Sequence, residues 1–61
     1  MAHFDTTVFV QEHRRPPRGR GGWIFRDAES DTEHTHAGTY TEAKRSATAA
    51  NPAVATWVVL P

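Results

Sequence analysis

Apolar positions along the chain fall into short runs of two different periods. In residues 4–11, Phe4, Thr6, Val8 and Val10 alternate with Asp5, Thr7, Phe9 and Gln11. That period of two, with its β-branched and aromatic content, predicts a strand. Residues 23–27 predict a second strand, with Trp23, Phe25 and Asp27 on one side and Ile24 and Arg26 on the other. Residues 28–33 are polar enough for a hairpin connection, and residues 34–40 predict a third strand. There His34, His36, Gly38 and Tyr40 alternate with Thr35, Ala37 and Thr39. Residues 53–60 predict the last strand, with Val54, Thr56, Val58 and Leu60 opposite Ala55, Trp57 and Val59.

Between the third and last strands the period changes. Thr39-x-x-Glu42 fits a capping box, in which hydroxyl and carboxylate satisfy each other's free amides at a helix start. Thr41 is an alternative N-cap. Residues 42–50 favour a helix, Asn51-Pro52 stops it, and Ala43, Ala47 and Ala50 form its inward stripe. Prolines and glycines at Pro16, Pro17, Gly19, Gly21 and Gly22 predict a flexible basic loop over 12–22. The sum is a single α+β domain over 1–61: a small antiparallel sheet with one helix, in the order βββαβ.

One helix covers only one face of such a sheet. Yet the second and last strands are apolar on both faces, which breaks the apolar-in, polar-out alternation of a sheet with a solvated side. A chain of 61 residues buries only about 60% of its unfolded surface when it folds alone. Ile24, Trp57, Val58, Val59 and Leu60 are therefore expected to form an interface, and the chain to act as a homodimer.

Composition sharpens the picture at one point. Seven basic and seven acidic residues cancel, but they are segregated. Arg14, Arg15, Arg18, Arg20 and Arg26 occupy a stretch without acids; Asp27, Glu29, Asp31 and Glu33 follow at every second position. The absence of cysteine excludes disulfides and thiol chemistry. No apolar run approaches the ~18 residues of a membrane span, and the start lacks the basic and apolar regions of a signal peptide. A cytoplasmic protein without membrane contact or cofactor is expected. Arginine-dominated cations with abundant Ala and Thr suggest a high-GC source, such as a phage or mobile element, and the opening Met suggests a complete small gene product.

The arginines carry the most chemistry. Guanidinium groups grip phosphates in bidentate fashion, glycine lets a backbone approach closely, and an indole stacks on bases. Arg14, Arg15, Arg18, Arg20, Trp23 and Arg26 are thus candidate contacts to nucleic acid or to an acidic protein surface. The acids at 27, 29, 31 and 33 read as a charged hairpin; the glycine and closing glutamate of a calcium loop are missing. His34-x-His36 places two imidazoles on one strand face, which with Glu33 or Asp31 would be a minimal zinc set, but surface or interface histidines are the expectation and no metal is assigned. No nucleophile or phosphate-loop motif is present, and a noncatalytic protein is expected.

Trp23-Ile-Phe-Arg-Asp27, Gly38-Thr-Tyr40 and Glu42-Ala43 opening an alanine-rich helix resemble DNA-reading domains made of a three-stranded sheet and a helix. These are the APETALA-type domains of plants and the arm-binding domains of tyrosine recombinases. The resemblance spans 20–51 and implies a sheet laid in the major groove, with Trp23 and Arg26 as the contact residues. The chain departs from the plant pattern by a shorter link from Tyr40 to the helix and by fewer arginines on the strands. The same motifs are similar to those of small uncharacterised bacterial and phage proteins. The expected function is a protein-interaction or assembly protein, with a sheet-type DNA-binding accessory protein as the alternative.

Overall fold

The computed structural model describes residues 2–61 and places Asp5 at the end of a short strand, β1 (His3–Asp5). The Asp5 carboxylate accepts the hydroxyl and backbone N–H of Thr7 at 2.7 and 3.0 Å, turning the chain out of the strand. A helix, α1 (Thr7–His13), follows, so the strand expected over 4–11 is mostly helical. The alternation of Phe4, Thr6, Val8 and Val10 misleads because only Phe9, on the other side of that pattern, is buried. Its ring packs 4.3 Å from His13 and 5.8 Å from Trp23, and this tertiary contact overrides the β-preference of the flanking residues. Arg14 closes α1 in the left-handed conformation, φ 59°, and its N–H donates to the Val10 carbonyl at 2.8 Å.

The basic loop is shorter than 12–22. Glu12 and His13 belong to α1, and β2 (Arg20–Asp27) begins at Arg20, leaving only residues 14–19 irregular. Within that loop Pro17 is buried. A turn then leads into β3 (Glu33–Thr39), helix α2 (Tyr40–Ala50) and β4 (Thr56–Val59). The order is thus βαββαβ with two helices, where one helix and βββαβ were expected.

The four strands lie in the order β1-β4-β2-β3. β2 pairs antiparallel with β3 and with β4, but β1 pairs parallel with β4, so the sheet is mixed where an antiparallel one was expected. The short turn after Asp5 sends the chain into α1 instead of a hairpin, which frees β1 to run alongside the distant β4. Helix α2 carries the chain from β3 across β2 to β4, the long connection that parallel strands require.

Both helices contribute to one core. Phe9 of α1 and Ala43 and Ala47 of α2 pack with Trp23, Phe25, Trp57 and Val59 of the sheet. Phe4 meets Phe25 edge-on at 5.2 Å, and Tyr40 lies 5.0 Å from Trp23, extending the aromatic layer. The alanines keep α2 close to these rings; the third residue of the expected stripe, Ala50, is exposed.

The start of α2 is the expected capping box. Glu42 N–H donates to Thr39 Oγ1 at 3.1 Å, and Thr39 N–H donates to Glu42 Oε1 at 2.9 Å. Those bonds hold the Glu42 carboxyl below its ordinary range, the Thr39 N–H contributing most. Gly38 just before it has φ 149°, and a Cβ there would sit 2.9 Å from Glu42 Oε1. Only glycine leaves that carboxylate in place. No helix among the described residues is long and apolar enough to cross a membrane.

Candidate interaction surface

Strand alternation divides the sheet into two unlike faces. The registers Phe4↔Trp57, Phe25↔Val59, Phe25↔His34 and Trp23↔His36 put all these side chains toward the helices. Trp57, Val59 and Phe25 are fully buried there, so Trp57 and Val59, expected at an interface, belong to the chain's own core. Trp23 is also sealed in, its indole N–H donating to the Gly38 carbonyl at 3.1 Å. It offers no ring face for a base to stack on, contrary to the expectation from the sequence.

The opposite face has no helix over it. Ile24, Val58 and Leu60, the remaining expected interface residues, fall on this side, Ile24 being 40% exposed and Val58 and Leu60 half-buried. The Leu60 N–H donates to the Ile24 carbonyl at 3.0 Å, continuing the ladder past β4. Gly22 lies opposite Ala37, and Ile24 opposite Thr35. Because Gly22 has no side chain and Ala37 a small one, they leave a shallow hollow of about 340 Å³ beside Ile24. One bulky apolar residue therefore stands next to one apolar depression on the same surface. A second hollow, about 430 Å³, lies between Ala2 and Phe4 and the Lys44–Ala49 side of α2.

Charge is arranged along the long axis of the β2–β3 hairpin. Arg20 and Arg26 alternate onto the open face with Gly22 and Ile24 between them. Arg14, Arg15 and Arg18 lead into the Arg20 end, all exposed, and none forms an ion pair among the described residues. At the other end the acids divide by role. Asp27 builds the turn, accepting the Glu29 N–H at 3.0 Å and the Ser30 hydroxyl at 3.1 Å. Glu33 pairs with Arg26 at 3.4 Å across the strands. Glu29 and Asp31 are exposed at the tip. The two ends of β2 are about 23 Å apart at the usual strand rise.

The histidines of β3 are turned away from these acids. His34 Nε2 meets Ser46 Oγ of α2 at 2.8 Å, tying the edge strand to the helix. Glu33, a neighbour in sequence, is on the opposite face by alternation, so the minimal metal set is not assembled. Sequence reasoning missed three structural groups: the Asp5 turn, the Phe9 anchor and the His34–Ser46 link. Only the first left a local trace, an Asp two residues before a Thr. No family model matches the chain, nor does any curated protein or solved structure.

Proposed function

We propose that the chain is a noncatalytic interaction protein that works as a homodimer through the open face of its sheet. The observation that supports it is the row of Ile24, Val58 and Leu60 on the face without a helix. Half of a standard interface is about 800 Å² per partner. Against a total surface of 4153 Å², that is about a fifth of the molecule. The shallow, open hollows suit a contact surface better than an enclosed reaction site. Light scattering coupled to size exclusion at micromolar concentration tests the reading. The expected mass is that of two chains, falling to one in Ile24→Asp while the far-ultraviolet spectrum is retained. A single-chain mass at every concentration would overturn it.

A DNA-binding accessory role that uses the arginine-rich loop is the second reading, supported by Arg20 and Arg26 on the open face, Arg26 being one of the two contacts that the resemblance to sheet-type DNA readers implies. Two features weigh against it: Trp23 is sealed in and Arg26 is engaged by Glu33. Titration with duplex DNA separates the readings. Contact with four phosphates gives a slope of about −3.6 in log K against log salt. No binding at about 50 mM salt removes the DNA reading.

A further inference from the structure

We infer that the partner of the arginine loop is the acidic turn of a second copy of this chain, held in antiparallel register across the open sheet face. The inference rests on the homodimer reading above and adds the orientation of the pair and a role for its charged ends.

The fold leaves four charges unanswered. Arg15 and Arg18 at one end of β2, and Glu29 and Asp31 at the other, are exposed and without ion pairs among the described residues. β2, which stands between them, spans about 23 Å, nearly three screening lengths of about 8 Å at physiological salt. The two ends therefore do not neutralise each other within one chain. Each presents a separate field at its own end of the hairpin.

Two copies stacked face to face have two simple twofold arrangements. With the axis along the strands, each arginine loop lies over the other loop and each acidic turn over the other turn. Like charges meet at both ends, which opposes association. With the axis in the plane of the faces but across the strands, β2 runs antiparallel over its copy. Each loop then lies over the partner copy's acidic turn, and opposite charges meet at both ends. The segregation of charge between the loop before β2 and the turn after it thus selects one arrangement.

The apolar middle agrees with that choice. An isologous contact needs a surface complementary to itself, in which residue i meets j and j meets i. With the axis passing over position 23, Ile24 of each copy falls on Gly22 of the other. The exposed Ile24 side chain would enter the hollow that Gly22 and Ala37 leave open. Nothing lies within 4 Å of the position a Cβ would take on Gly22, so the hollow is free to receive it. In the same register Arg20 faces the Arg26–Glu33 pair, where the Glu33 carboxylate can accept from both guanidinium groups.

Charge reversal at the two ends tests this. One variant carries Arg15→Glu with Arg18→Glu; the other carries Glu29→Lys with Asp31→Lys. All four side chains are exposed, and Asp27, which builds the turn, is left in place. Each variant alone should dimerise about tenfold or more weakly than the parent. An equimolar mixture should recover parent-like affinity as mixed dimers, resolved by native mass spectrometry with differently tagged chains. The parent dimer should weaken as salt rises.

The inference is overturned if both variants dimerise like the parent, if the mixture fails to recover, or if salt strengthens the dimer. In those cases an Ile24→Asp-sensitive dimer still upholds the open-face reading. A parent chain that stays single at all concentrations removes both.

Discussion

The two faces of the sheet use similar residue types for opposite ends. On the helix-covered face, Phe25, Trp57 and Val59 are fully buried beneath Ala43 and Ala47. On the open face, Ile24 and Val58 occupy the adjoining positions of the same two strands and remain partly in solvent. The side chains differ little in hydrophobicity; what differs is whether a helix lies above them. The sheet is thus held by one face and left available by the other.

The sharpest test of that contrast replaces neighbours on β2. Phe25→Ala should cost about 3–5 kcal/mol by leaving a cavity in the core. A chain of this length has a total stability of roughly 3–9 kcal/mol, so the variant should be largely unfolded by denaturant titration or circular dichroism. Ile24→Ala should keep its fold and lose dimer mass instead. Equal loss of fold in both would erase the distinction between the faces.

Overfilling the covered face is the next largest effect. Ala47→Leu should cost about 1–3 kcal/mol, because α2 rests directly on the aromatic layer and must be pushed away. The matching enlargement on the open face, Thr35→Leu, should leave the melting temperature nearly unchanged. Thr39→Ala should cost about 1 kcal/mol through loss of the helix cap, read by thermal melting.

Acid acts on two carboxylates at the turns into the helices. Asp5 is held below its ordinary range by the Thr7 hydroxyl and then its N–H, and Glu42 by the bonds with Thr39. A carboxyl lowered in the folded state contributes stability that is full above its unfolded value and lost as pH falls through the folded one. Melting temperature should therefore be steady down to the ordinary carboxylate range and decline below it. Glu42→Gln should flatten part of that decline. The smallest effect is expected at the exposed Arg26–Glu33 pair: Glu33→Gln should change stability by about 0–1 kcal/mol, diminishing with salt.

The parts of the fold that depend on local chemistry are legible in the amino-acid order. The hairpin of β2 and β3, the Thr39–Glu42 box and the Ala43–Ala47 stripe each follow from residues a few positions apart. The first segment is not legible, because its surface valines and threonines alternate like a strand while one phenylalanine sets the helix through a contact with Trp23. The pairing of β1 with β4 joins His3 to Thr56, a distance along the chain that no period reports. The candidate surface shows the same division. That the last strand is apolar on both sides is plain from Trp57, Val58, Val59 and Leu60; which pair turns inward depends on helices placed by distant contacts. Charge segregation is visible in the sequence, but its meaning depends on β2 standing between the two groups.

The position of β4 has a consequence for how the molecule is assembled. One of the two interior strands of the sheet, β4, is drawn from the latter part of the sequence, and it separates β1 from β2. A fragment ending after α2 would hold a hairpin and a helix, but β1 would have no neighbour and one edge of β2 would be bare. Growth of the sheet strand by strand from the hairpin therefore stalls until residues 56–60 insert. Folding should behave as a single late closure, with truncation of that stretch releasing β1 and α1 together.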